Sequence, residues 1–582
     1  MRLHFMIGIA AFFLFFAACQ PQPGDVNQNV NTNTNTAANA KWDAYVEQFL
    51  NDYFAANPTF AVYQGKHEYD GKFPDWSADG LNKEIVRLKS EREKAAAFKD
   101  GDLDEHQRFE RDYLIAQIDK DLFWRETADQ PHANPYWYAD AIDPDVYVSR
   151  PYAPLETRIK AYTVYAKNVP NALKQIEANL KLPLSTPLTN IGIQTIGGLS
   201  EFYSKDVPKV FESVKDEQLQ TDFKEANEGA IKAVEEFTVY LKQVNGLPNE
   251  KSFALGAERF KAMLKQTEGG DIDLAQLEEI GKKDLQRNLD AMKVECDKYA
   301  PGMTLIECSN KASAHKAEGT NVVEAATAQL TDLRKFLVEK DIVSVPGTEE
   351  AKVAQAPPYK AWNFAYINIP GPYETNLPSV YYVSPPDPTW DKKKQEEYIP
   401  GKGSLLFTSV HEVYPGHFLQ FLHSNRSKSK FGQVFVGYAF AEGWAHYTEE
   451  MMYDAGLGEG DPEMHIGQLQ EALLRNVRFL SAIGMHTKGM TVEESKKMFI
   501  EQGLRSEGEA EQQSARGTFD PAYLNYTMGK LMIRKLRDDW CASRGGRSAW
   551  KQFHDAFLTY GGPPIPLVRK AMMGADDKGT LF

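Results

Sequence analysis

No basic tract offsets the formal net charge of −15. A protein that grips nucleic acid needs a positive footprint to displace counterions, so general nucleic-acid binding is set aside in favour of small molecules or peptides. No Gly-rich cofactor loop and no nucleophilic Ser or Cys motif stands out, and no internal repeat marks a solenoid. The longest apolar run, Phe5 to Phe16, is too short for a comfortable membrane span and follows Arg2, which reads as a signal peptide. Cysteine is scarce, with four in 582 residues. An exported compartment permits a Cys296–Cys308 disulfide closing a short loop, but both thiols free is an equal reading, and Cys541 is left over.

What is present is a large apolar fraction, 42% hydrophobic and 12% aromatic, enough for a sizeable core. The stretch "FAAC" ahead of position 20 resembles a lipobox, so residues 1–18 are expected to be removed and Cys19 acylated, tethering the chain to a membrane surface without spanning it. Residues 19–40 repeat Asn and Thr and offer little to bury, predicting a disordered tether. From 41 to 340 the apolar period is helical. Trp42, Tyr45, Val46, Phe49, Leu50, Tyr53 and Phe54 share one face, and further helices are expected near 81–98, 153–181, 222–244, 273–299 and 321–339. After a polar connection at 340–358, "AWNFAYINIPGPYETNLPSVYYVSPP" is rich in aromatic and β-branched residues broken by prolines, predicting a small sheet with edge strands. Helices then return, with Asp461 and Pro462 as N-cap and N1 and a capping box at Thr491 and Glu494. The region 341–582 carries the motifs that point to chemistry.

The first motif is "HEVYPGH". In H-E-x-x-H the histidines lie four apart and both reach one ion. His411 and His417 are six apart, roughly 120° around an undisturbed helix at 3.6 residues per turn. Pro415 removes an amide hydrogen and its ring collides with the His411 carbonyl, so the helix must open there, and Gly416 tolerates the opening. A bulge of two residues would bring the imidazoles back together. The second motif, "EGWAHYTEE", opens a second helix, with Glu442 expected in its first turn 25 residues after His417. A His411, His417, Glu442 set suits one Zn²⁺ per chain and leaves Glu412 beside it as the general base that activates zinc-bound water. His446 and Glu449 share the Glu442 face, as orienting groups or as exposed helix decoration.

These residues resemble a family of bacterial proteins of unknown function, often exported lipoproteins, that carry H-E-x-x-P-G-H followed by E-G-W-A. That family is similar to the gluzincin metallopeptidases of the thermolysin-like clan. "NPTFAVYQGKHEYDGKFPDWS", "YAPLETRIKAY", "NIPGPYE" and "DPAYLNYTMGKL" extend the resemblance over most of the mature chain. It implies a mainly α, zincin-like fold with a small antiparallel or mixed sheet near the active site, and zinc-dependent hydrolysis of oligopeptides outside the cytoplasm. It also implies Tyr526 as the phenol that holds the developing oxyanion, and His486 and Arg516 as groups that bind the transition state or a substrate carboxylate. Tyr382, in "SVYYVSP", would lie on an edge strand to which an extended peptide adds. Two alternatives use the same residues: a metal-dependent amidase acting on cell-wall peptides, and a lipoprotein that binds peptide or ligand without catalysis. Two histidines and a carboxylate also hold iron in non-haem oxygenases, but those sites sit on β-barrels.

Overall fold

The computed structural model describes residues 32–247, 252–317, 321–356, 364–374, 376–386 and 389–582. The expected signal peptide, Cys19 and the tether up to residue 31 lie outside the described residues. The first helix, Thr32–Ala56, begins inside the stretch read as a tether. Each helix expected from periodicity is present: Ala78–Ala97, Leu155–Asn179, Glu217–Asn245, Leu274–Tyr299 and Val322–Lys340. The N-terminal face holds as well, with Trp42, Val46, Phe49, Leu50, Tyr53 and Phe54 buried. Asp461 caps the helix Pro462–Thr487 by accepting from the Glu463 amide at 3.0 Å. Thr491 and Glu494 form the expected capping box. The chain is mainly helical with one small sheet, and no described helix is long and apolar enough to cross a membrane.

The sheet is mixed, in the order β1 (Ala351–Gln355), β3 (Ser379–Val383), β2 (Ala365–Asn368). β1 runs parallel to β3, and β2 antiparallel to it. Two expectations are corrected here. β1 falls in the polar connection at 340–358, ahead of the aromatic stretch expected to form the sheet. "SVYYVSP" is not an edge but the central strand, its backbone taken on both sides, so it has no free ladder to offer a peptide.

Nor does packing divide at residue 340. One buried cluster joins Leu277, Leu285 and Met292 to Phe479, Leu480 and Ile483, and joins Leu333 and Leu337 to Leu405 and Val410. A Cβ on Gly281 would strike the Phe479 ring, so Leu274–Tyr299 and Pro462–Thr487 meet closely there. A second cluster fills the region from Val62 to Val244. A third packs the first helix against Phe431, Val434 and Phe435. Cys296 and Cys308 form a disulfide between the ends of successive helices, and Cys541 is a buried free thiol.

Candidate metal centre

"HEVYPGH" is divided between two helices. Lys402–Glu412 ends at the first half of the motif and His417–Ser424 begins at the second. Residues 413–416 make the turn between them, so the interruption is larger than a bulge within one helix. The Gly416 amide reaches back to the Val410 carbonyl at 2.9 Å. A Cβ on Gly416 would land on the His411 carbonyl oxygen. Its φ is −72°, so room rather than a left-handed backbone reserves the position for glycine. The second motif braces the turn: Trp444 Nε1 donates to the Pro415 carbonyl at 2.8 Å.

The turn sets the two rings 4.8 Å apart at 90°. Glu442 approaches from the helix Tyr438–Asp454, on its second turn rather than its first. Glu442 Oε2 lies 3.2 Å from His411 Nε2 and 3.3 Å from His417 Nε2. These three ligand atoms fall within 4.8 Å of one another. Glu442 Oε2 is sealed from solvent yet takes no well-formed hydrogen bond, and a buried carboxylate oxygen that faces only two imidazole nitrogens is a place for a cation to complete. Burial opposes the charge, but the two imidazoles, His417 foremost, hold the Glu442 carboxyl well below its ordinary range. The donor set of two imidazoles and one carboxylate fits a catalytic zinc site.

Glu449, of the same helix, is fully buried and not surface decoration. Its Oε1 accepts from His411 Nδ1 at 2.7 Å and its Oε2 from His446 Nδ1 at 3.0 Å. Because an ionised carboxylate only accepts, His411 Nδ1 carries a proton and Nε2 faces the centre, as a carboxylate–histidine–metal relay requires. Burial works against a charge on His411, but Glu442 and Glu449 outweigh it and push its pKa up to about 9. That environment favours a cation. Arg475 Nη2 lies 3.5 Å from Glu449 Oε1. Arg475 and its partner Glu471 belong to Pro462–Thr487 and carried no signal in the sequence.

Glu412 is half-buried, and its carboxylate has no hydrogen bond or ion pair among the described residues. Tyr526 is buried, its ring 6.2 Å from that of His411. Burial, and then the charge on Glu442, raises its pKa, so the phenol keeps its proton. Arg516 Nη2 reaches Tyr526 Oη at 3.5 Å, but its guanidinium is engaged mainly elsewhere: Nε and Nη2 donate to Asp520 Oδ2 at 3.0 and 2.9 Å, and Nη2 also reaches Tyr438 Oη at 2.9 Å. A cavity of about 350 Å³ borders Glu442 and is lined also by Lys120, Trp124, Glu268 and Tyr438.

Two expected residues are not brought to this centre. His486 is buried with both ring nitrogens on backbone groups: Nε2 donates to the Gly517 carbonyl at 2.7 Å and Nδ1 accepts from the Leu255 amide at 3.3 Å. Burial lowers its pKa to about 4, so it is a neutral structural ring with no nitrogen left for substrate. Tyr382 alternates away from the buried face of β3; its neighbour Tyr381 is fully buried, with its hydroxyl 3.5 Å from Ser409 Oγ of the His411 helix.

No curated protein matches the sequence. Among solved structures, a candidate lipoprotein of unknown function from Shewanella oneidensis is similar, with a TM-score of 0.76 and 24% identity over 91% of this chain and 99% of that one. A candidate lipoprotein from Colwellia psychrerythraea is similar at a TM-score of 0.76 and 18% identity, over 92% of this chain and 98% of that one. At these identities the likeness establishes the fold. The model of the bacterial proteins of unknown function DUF885 matches residues 58–572, and the chain belongs to that family.

Proposed function

We propose that this protein is a zinc-dependent peptidase, tethered outside the cytoplasm through an acylated Cys19. The observation that carries the reading is the sealed, hydrogen-bond-free Glu442 Oε2 converging with two imidazole Nε2 atoms, with the unengaged carboxylate of Glu412 on the residue that follows His411. The tether rests on the sequence ahead of Cys19 and on the two similar structures, both described as lipoproteins. His411, His417 and Glu442 would hold one Zn²⁺, which supplies Lewis-acid polarisation of a peptide carbonyl. Glu412 takes the proton of the attacking water and passes it to the leaving amine. Tyr526, protonated and buried, donates a hydrogen bond to the oxygen on which charge develops. Glu449 holds the His411 ring in the orientation and tautomer this requires.

The test is zinc content by plasma mass spectrometry, for the protein and for His417→Ala, followed by hydrolysis of an oligopeptide mixture by the protein and by Glu412→Gln. About one zinc per chain, lost in His417→Ala, with hydrolysis lost in Glu412→Gln, is the expected result. Absence of bound zinc after the metal is offered, or hydrolysis indifferent to Glu412, would sink the proposal.

A further inference from the structure

Three arginines surround Tyr526, with Cζ atoms 5.9 Å (Arg475), 4.9 Å (Arg478) and 5.8 Å (Arg516) from its ring centre. Two of them have carboxylates of their own. Arg475 pairs with Glu471 and Glu449, and Arg516 with Asp520. Arg478 has none. It is only 6% exposed, and its one hydrogen bond among the described residues runs from Nε to the neutral amide oxygen of Gln513 at 2.8 Å. A guanidinium buried without a counter-charge is costly. Burial, together with the charges of Arg516 and Arg475, lowers its pKa. Both Nη groups make no hydrogen bond among the described residues, and neither is among the buried atoms sealed from solvent without a partner. They therefore keep some contact with solvent, beside the Tyr526 ring that stacks 6.2 Å from His411.

We propose that Arg478 docks a carboxylate of the substrate. Two parallel N–H donors in a fixed fork match a carboxylate in two-point fashion, and an anion arriving there supplies the charge that the fold withholds. Arg516, with its Asp520 partner, has no such vacancy. A C-terminal α-carboxylate and an Asp or Glu side chain offer the same chemistry, so the substrate class is a peptide with one of these near the bond that is cut. The identity of that bond rests on the peptidase reading; the binding of the carboxylate does not.

The experiment is titration calorimetry on the full chain carrying Glu412→Gln, which removes turnover. The probes are N-acetyl-Ala-Ala with a free C-terminus, its amide, and N-acetyl-Ala-Glu-amide, each with and without Arg478→Gln. The expected result is binding of one carboxylate-bearing probe about 10- to 100-fold tighter than the neutral amide, with the preference collapsing in Arg478→Gln. Which acid holds the preference identifies the source of the carboxylate. Equal binding of acid and amide, a preference that survives Arg478→Gln, or no carboxylate-dependent binding would each overturn the proposal. The acid and amide comparison needs no change at Arg478, so it stands even if that variant misfolds. Carboxylate binding without peptide hydrolysis by the unaltered protein would sink the peptidase reading alone.

Discussion

Glu449 and Glu412 are both carboxylates beside the candidate metal centre, yet they predict opposite phenotypes. Glu449 acts through His411, so Glu449→Gln should loosen zinc by about 10- to 100-fold in competition with a chelator. Glu412 contacts no ligand, so Glu412→Gln should retain zinc and lower hydrolysis by about 10²- to 10⁴-fold. A further residue-scale expectation concerns pH. His486 and His554 are buried, and burial lowers each pKa from 6.5 to about 4. His554 is locked neutral between the Tyr447 hydroxyl at 2.7 Å and the Ile342 carbonyl at 2.6 Å. Unfolding lets both rings take protons below their ordinary value, so their contribution is complete above pH 6.5 and is lost as pH falls toward about 4. Calorimetry should show Tm falling across that window; a flat Tm would refute the assignment. The candidate ligands His411, His417 and Glu442 were legible because their spacing and neighbours are unusual. Glu449 was visible in the motif, but its burial was not, and Arg478 gave no signal because its meaning depends on which carboxylates other helices bring to its neighbours.

At the scale of elements, the centre exists because helices stop and touch at particular glycines. Gly416 lets the chain turn between His411 and His417, and Gly443 lets the Glu442 helix meet the helix Asn525–Ala542, which carries Tyr526. A Cβ on Gly443 would sit 2.5 Å from the Gly529 Cα, where backbone cannot yield as a flexible side chain can. Gly443→Ala should therefore push the two helices apart and cost about 1–3 kcal/mol, read as a lower denaturation midpoint. It should also weaken zinc binding, because Glu442 is the adjacent residue. A variant with unchanged stability and zinc affinity would show that the contact is not what positions the carboxylate. Helix positions were readable because period and capping act locally. Strand order was not, because nothing within "SVYYVSP" tells whether one partner or two will flank it.

Across the whole molecule, the candidate centre depends on segments far from its motifs. Residue 340 looked like a boundary because composition changes there, but composition does not report which faces pack together. Lys530, on the Tyr526 helix, is almost completely enclosed and donates to Asp284 Oδ2 at 3.0 Å, while Asn476 Nδ2 donates to the same oxygen at 2.9 Å. Asp284 belongs to Leu274–Tyr299, well before the boundary. Burial would raise its pKa, but Lys530 and then Arg287 dominate and hold it far below the usual carboxylate range. Removing residues 1–340 would deprive Lys530 of this partner, leaving Glu450 at 3.5 Å, and would strip Phe479, Leu480 and Ile483 of the apolar face that covers them. A buried ammonium short of its counter-charge and an uncovered apolar helix face both favour a loosely packed state. A 341–582 fragment should accordingly retain helical far-UV signal, lose near-UV signal, bind a hydrophobic dye and fail to hold zinc. A fragment with native near-UV signal and one bound zinc would instead mean that the C-terminal region is an autonomous unit and that the long helices before it only decorate its surface.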